Sequence, residues 1–147
     1  MIRIIKNLLL YVLISFGLLL VSSWLKSEFI VIYLSKDLII TLITLFGLNV
    51  AVLSILVSKL SDIQNKLDNL DIKQIVSEMK FSLLEFFTII IIAFLSSTLS
   101  ISQVVNFQYK DVLFNSISLS TLIYSLVIIW DTGHGIFILI SEENESI

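Results

Sequence analysis

Few residues of this chain are of the types that perform catalysis. The only histidine, His134, lies three residues after Asp131, and the chain contains no cysteine. A histidine and a carboxylate one helical turn apart are typical of a polar pair at the lipid headgroup level, with proton sensing as the alternative interpretation. No phosphate-binding loop, zinc-ligand spacing or glycine-rich nucleotide motif occurs in the sequence. We therefore expect neither an enzyme nor a bound cofactor or metal ion.

Two polar residues stand out among those within the apolar segments, because their side chains are especially costly to bury. Asn49 stands near the middle of the second segment, so its amide should bind another helix or a neighbouring subunit, or face a pore. Glu85 stands about one turn inside the third segment. Its carboxylate is expected to reach water along its own stem or to pair with Lys80, and gating or ion binding is the alternative.

Small and polar residues also recur at helical spacing within these segments. In the second segment such a stripe lets membrane helices approach closely, so packing between helices is the default interpretation. In the third and fourth segments the alternative is a wet, weakly selective pore lined by hydroxyl and amide groups. The stripes are Thr41, Thr44, Gly47, Ala51, Ser54 and Ser58; Glu85, Thr88, Ser96, Ser100 and Gln103; and Asn115, Ser118 and Ser125.

The segments that carry these residues are long enough to cross a membrane. Of the 147 residues, 57% are hydrophobic and 14% are charged, values that a soluble domain rarely reaches. A bilayer requires roughly 20 apolar residues in a helix, because only a helix satisfies their backbone in lipid. The first block ends at Trp24 and is too long for a signal-peptide core, so we expect it to be retained. We predict an all-α polytopic membrane protein of one domain with four transmembrane helices, at residues 4–25, 38–58, 81–104 and 112–131.

Basic residues are unevenly distributed between the two sides of these four helices. One side holds Arg3 and Lys6 together with four lysines between spans two and three, whereas the other holds Lys26, Lys36 and Lys110. The positive-inside rule therefore predicts that both termini and the central segment are cytoplasmic. We expect a multi-pass protein of the inner membrane, with the lipid bilayer as its main partner.

Residues 59–80, between spans two and three, are predicted to form a short cytoplasmic helical hairpin. Asp71 followed by Gln74 has the form of a capping box, which would open the second helix of the hairpin. Lysines and acids recur here every seven residues, a pattern typical of a solvated helix face. The alternative is a charged surface for other subunits or a partner, and its candidate residues are Lys66, Lys73, Lys80, Asp71 and Glu78.

The carboxyl end of the fourth span contains two glycines, Gly133 and Gly135, on either side of His134. We expect these glycines to interrupt or loosen the helix. The apolar residues 136–140 would then lie on the membrane surface or on a neighbouring helix, followed by an acidic tail at residues 141–147.

The chain has four predicted spans, both termini inside and a lysine-bearing middle loop. Three short motifs accompany this arrangement. They are Phe46-Gly47, Leu56-Val57-Ser58-Lys59 and Leu84-Glu85-Phe86-Phe87. With these features the whole chain resembles the small membrane components of anti-phage defence systems of the Kiwa or Rex type. The resemblance implies a homo-oligomer in the inner membrane that detects infection or changes membrane permeability. It also implies a soluble cytoplasmic partner that acts on nucleic acid, and it carries over no functional residue.

Three other functions are compatible with the same composition. Proton-coupled four-helix exporters resemble a pattern with a carboxylate deep in the first span, which this chain lacks. A holin-like lysis protein usually has a basic carboxyl-terminal tail, whereas this tail is acidic. A structural subunit of a larger membrane complex is the third. Direct binding of nucleic acid is not expected, because the lysines alternate with acids instead of forming a basic patch.

Overall fold

The computed structural model describes the backbone of residues 2–64, 72–105 and 107–145, and the side chains of residues 6–59, 75–105 and 107–135. Five helices and their connections make up these residues, and no strand occurs among them. The all-α prediction is therefore confirmed. The helices are α1 (Ile2–Trp24), α2 (Phe29–Lys36), α3 (Leu38–Gln64), α4 (Ile72–Ile101) and α5 (Lys110–Glu145).

Four of the five helices are long and apolar enough to cross a membrane. Their candidate spans are Lys6–Trp24, Leu38–Lys59, Ile75–Ile101 and Lys110–Gly135. The prediction of four apolar spans is confirmed, with the third ending at Ile101 instead of residue 104. Of the expected hairpin, the structure gives the end of α3 and the start of α4, and the connection at residues 65–71 lies outside the described residues.

The short helix α2 lies between the first two spans, where the sequence analysis predicted no helix. The chain leaves α1 through Lys26, whose backbone is left-handed with φ of 52°. The Ser27 N–H donates to the Ser22 carbonyl at 2.9 Å, which closes a Schellman-type end of the helix. At the far end of α2, the Tyr33 hydroxyl donates to Thr41 Oγ1 at 2.8 Å and so fixes α2 against α3.

Helix α5 lies at the centre of the bundle and packs against α1, α3 and α4. Half of the most apolar stretch of its span is buried, compared with 11% for α1. Because the chain alternates in direction, α5 runs antiparallel to α1 and α4. The bundle has an α3–α4 end, where α3 ends and α4 begins, and an α2 end opposite to it.

The expected interruption of α5 at its two glycines is wrong. The helix continues through Gly133 and Gly135 to Glu145, and neither glycine adopts a positive φ. A glycine inside a helix costs about 1 kcal/mol relative to alanine. That penalty does not end a long helix when no proline follows it, and the chain contains no proline.

The bundle is apolar outside and has hydroxyl groups inside. Large side chains such as Leu13, Ile40 and Leu84 are more than half exposed on its surface. Serine and threonine side chains, in contrast, are buried along α5. Water would not favour this distribution, whereas lipid surrounds apolar side chains without penalty. The arrangement agrees with a membrane-spanning protein.

Candidate functional site

Buried hydroxyl groups form a polar stripe along the central helix α5. Several of them donate to carbonyls of their own helix, so they need no partner on another helix. The Thr121 hydroxyl donates to the Ser118 carbonyl at 2.6 Å, and the Ser125 hydroxyl donates to the Leu122 carbonyl at 2.7 Å. The buried members of the stripe are Ser116, Ser118, Ser120, Thr121, Ser125 and Thr132.

Two serines join the third and fourth spans within the bundle. The Ser118 hydroxyl donates to Ser96 Oγ at 3.1 Å, and the Ser96 hydroxyl donates to the Phe114 carbonyl at 3.0 Å. Both serines were candidates from the sequence, on separate stripes. The structure brings them together as a buried pair between α4 and α5.

Glu85 is buried between helices with only 6% of its surface exposed. The Tyr124 hydroxyl donates to Glu85 Oε1. The Asn7 amide in turn donates to the Tyr124 oxygen at 3.1 Å. This network joins α1, α5 and α4 in one chain of hydrogen bonds.

The expected pairing of Glu85 with Lys80 is not found, whereas access of the carboxyl group to water through its own stem stays a prediction. Lys80 is exposed, and no ion pair connects it to Glu85 among the side chains that the structure describes. Sequence reasoning missed Tyr124 and Asn7 as partners. The available signal was a single tyrosine among the serines of an apolar span, because a buried phenol requires a hydrogen-bond partner.

A cavity of about 400 Å³ opens beside Glu85 at the α3–α4 end. Three carboxyl side chains line it, of which Glu78 and Asp131 are exposed and Glu85 is buried. Glu85 therefore stands at the inner end of an acidic cavity. The other lining residues are Leu53, Leu56, Ile75, Met79, Phe81, Ser82, Ile128, Thr132 and Gly135.

A second cavity, of about 510 Å³, lies at the α2 end between α1, α2 and α5. It contains charges of both signs, from Lys26, Glu28 and Asp111. Asn115, a candidate from the sequence, lines this cavity and is partly buried. The polar stripe of α5 therefore runs between two cavities at opposite ends of the bundle.

Two buried polar side chains have no hydrogen-bond partner among the described residues. They are Ser15 in α1 and Asn49 in α3, and both are fully buried. Asn49 is one turn from Leu53, which lines the acidic cavity, and one turn from Phe46, whose ring packs on Phe86 at 5.6 Å. The expected hydrogen bond from Asn49 to another helix is thus not found within the described chain.

Three other candidates in the second span face away from the bundle. Gly47, Ala51 and Ser54 are exposed, and a Cβ on Gly47 would meet no atom within 4 Å. They take no part in packing within this chain, so a role in close helix approach stays a prediction about a second copy.

The candidates for a charged oligomer or partner surface are described only in part. Glu78 and Lys80 are exposed, and Glu78 lies at the mouth of the acidic cavity. The side chains of Lys66, Lys73 and Asp71 lie outside the described residues. The proposed charge pairing therefore stays a prediction.

The acidic cavity does not have the geometry of a metal site. No group of three histidine, cysteine or acidic side chains is close enough to hold a metal ion in the described part of the chain. His134 and Asp131 are both exposed at the carboxyl end of the fourth span.

Comparison with known proteins finds no matching family, no matching curated protein and no matching solved structure. The site is thus interpreted from its own geometry.

Proposed function

We propose that this protein is a membrane effector that changes the permeability of the inner membrane to protons or other cations. The observation that carries the proposal is the buried carboxyl group of Glu85 at the inner end of an acidic cavity. Ionisable side chains within membrane spans are rare and expensive, and they mark ion or proton pathways. Glu85 is the group that an entering cation meets.

The partner of Glu85 supports this role. Tyr124 donates a hydrogen bond but brings no positive charge, and no basic residue is among the described residues that line the cavity. A lysine or arginine would neutralise the carboxylate and repel an incoming cation. A neutral hydroxyl instead holds the carboxyl group in place and leaves its charge available.

The polar stripe of α5 supports a continuation of the pathway towards the α2 end. The stretch of α5 from Asn115 to Ile128 extends from one cavity to the other and is roughly 20 Å long. Its buried hydroxyls bond to carbonyls of α5, except that of Ser118, which bonds to Ser96, and Leu119 and Tyr124 pack the bundle interior. We interpret this packed interior as the closed state, in which opening requires the hydroxyls to turn towards water.

The biological setting that we propose is anti-phage defence, as the resemblance of the whole chain implies. Infection would open the path and depolarise the cell. Copies of the chain would associate as a homo-oligomer through the outward stripe of Gly47, Ala51 and Ser54, and both termini would be cytoplasmic. Recruitment of a soluble effector at the α3–α4 end is part of the same proposal.

A small cation transporter is the second candidate function. The absence of a carboxylate in the first span argued against it, but Glu85 in α4 supplies a buried carboxyl group from another span. A transporter would bind its cation at Glu85 and change which cavity is open. A channel would open both cavities together.

Flux across vesicles tests the permeability proposal. The full chain is reconstituted in liposomes with a potassium gradient, and a pH-sensitive dye inside reports proton entry after valinomycin is added. Wild-type protein should increase proton entry, and E85Q should lower the rate about tenfold, since the cation loses its charged partner. D37N, which removes an exposed carboxylate outside both cavities, serves as the matched control. Equal rates for wild type and E85Q would contradict the proposal.

Infection of cells that express the protein tests the biological setting. A dye that reports membrane potential should show depolarisation after phage addition with wild type and not with E85Q. If infected cells keep both their potential and their sensitivity to phage, the setting in defence is wrong even where liposomes show flux.

A further inference from the structure

We propose that the acidic cavity at the α3–α4 end binds monovalent organic cations with an apolar body. The proposal names the substrate class of the site described above, and it rests on the proposed function only in that Glu85 serves both. The cation would place its charge near Glu85 and its apolar groups against the cavity walls.

The size and walls of the cavity suit a small molecule. Its volume of about 400 Å³ falls within the range of small-molecule sites, which are lined mainly by apolar side chains with few polar groups. Phe81 adds an aromatic ring, which attracts cations through its π face. The apolar wall residues are Leu53, Leu56, Ile75, Met79, Phe81 and Ile128.

The polar groups of the cavity select a positive charge. Glu78 and Asp131 stand at the exposed mouth, and Glu85 stands at the inner end. The Thr132 hydroxyl donates to the Ile128 carbonyl at 2.8 Å, so its proton is already used and its oxygen is left as an acceptor. Anions would meet three carboxyl groups, whereas a cation is attracted from the mouth inward.

Glu85 leaves one carboxyl oxygen available to a ligand in the cavity. Its Oε1 accepts the hydrogen bond from Tyr124, but no hydrogen bond to Oε2 is found among the described residues. The side chain is nine-tenths buried and lines the cavity. Oε2 is not among the buried polar atoms that lack a partner, so it is open to the cavity, where a cation would bind it.

A bare metal ion fits the same cavity poorly. Calcium and magnesium require six or more oxygen ligands in a close shell. The described acids form no such group of three. An organic cation with a spread charge needs a negative potential and apolar contact instead of a ligand shell, and the cavity provides both.

Titration of the full chain in detergent with tetraphenylphosphonium tests this inference. Tetraphenylborate has the same shape with the opposite charge, so it is the matched control ligand, and empty micelles give the background. Isothermal titration calorimetry should show saturable binding of tetraphenylphosphonium to the protein and only micelle partitioning for tetraphenylborate. Equal binding of the two ions would overturn the proposal.

Three variants locate the site. E85Q should weaken tetraphenylphosphonium binding about tenfold, because it removes the inner charge while keeping the side-chain shape. E78Q, at the mouth, should weaken it less. D111N, in the cavity at the α2 end, should leave it unchanged. If D111N loses binding and E85Q retains it, the cation binds in the cavity at the α2 end and the inference is overturned.

The binding experiment and the flux experiment can each contradict one proposal without contradicting the other. If tetraphenylphosphonium binds in a manner that depends on Glu85 but vesicles show no proton entry, the organic-cation site stands and the permeability proposal falls. If proton entry depends on Glu85 but tetraphenylphosphonium does not bind, the permeability proposal stands and the organic-cation site is wrong. Circular dichroism of each variant confirms that the helices are retained.

Discussion

At the scale of single residues, the cost of burying a polar group identifies where to look but not what it contacts. Asn49 and Glu85 were singled out from the sequence because both lie in apolar segments, and both are indeed buried. Their partners depend on which helices meet, and periodicity along one helix does not contain that information. Tyr124 and Asn7 are distant from Glu85 in sequence and reach it only through the packing of α1, α4 and α5.

Removal of the Tyr124 hydroxyl should destabilise the bundle more than removal of a comparable hydroxyl elsewhere. Y124F loses the hydrogen bond to the Glu85 carboxyl group and the one from the Asn7 amide, whereas Y33F loses only a bond to the Thr41 hydroxyl. Hydrogen bonds between membrane helices contribute about 0.6 kcal/mol on average and about 1.7 kcal/mol at most. We expect Y124F near the upper value and Y33F near the average, measured by thermal unfolding in detergent. A smaller loss for Y124F would show that the contact with Glu85 contributes little.

Replacement of Asn49 by leucine should stabilise the closed bundle. Both polar atoms of the Asn49 amide are buried without a partner among the described residues, and such a group costs about 1 to 3 kcal/mol. N49L has nearly the same shape and removes that cost, so its unfolding temperature should rise. The proton flux of N49L should fall if the amide becomes hydrated on opening.

S54A provides the control for the Asn49 variant on the same helix. The Ser54 side chain is exposed and bonds only to the Val50 carbonyl of its own helix, so its loss should change stability by less than about 0.5 kcal/mol. A lower unfolding temperature for N49L than for wild type would mean that the amide has a partner, such as a buried water molecule.

At the scale of helices, hydropathy predicts the number of spans but not their positions in the bundle. The four spans have similar hydropathy, yet α5 is far more buried than α1. The serine-rich stripe of α5 was the better indicator of the central helix, because hydroxyls that avoid lipid gather inside. Helix α2 was missed because an eight-residue apolar run is too short for a span.

The continuity of α5 can be tested with alanine at its glycines. No atom lies within 4 Å of a Cβ built on Gly133, so alanine fits there without displacement. Inside a continuous helix, G133A should stabilise the protein by about 0.5 to 1 kcal/mol, because glycine loses more backbone freedom on folding. G17A in α1, where space is equally open, should give a similar gain. A destabilised G133A would instead indicate that the helix is broken at this position.

At the scale of the whole molecule, the direction of the bundle decides which side of the membrane the acidic cavity faces. The helices alternate in direction and have an apolar exterior, and such a bundle can insert in either direction. Only the distribution of lysine and arginine in the sequence distinguishes the two. It predicts that the α3–α4 end, with Glu78 and Asp131, faces the cytoplasm, where cations would enter the cavity from inside the cell.

Labelling of single cysteines decides this direction, because the natural chain contains no cysteine. Ser77 near the α3–α4 end and Gln108 near the α2 end are both exposed and neither lines a cavity. In intact spheroplasts, a membrane-impermeant maleimide should label Q108C at once and S77C only after the membrane is permeabilised. If only S77C is labelled before permeabilisation, the bundle is inserted in the opposite direction. The acidic cavity would then open outward, and organic cations would enter it from outside the cell.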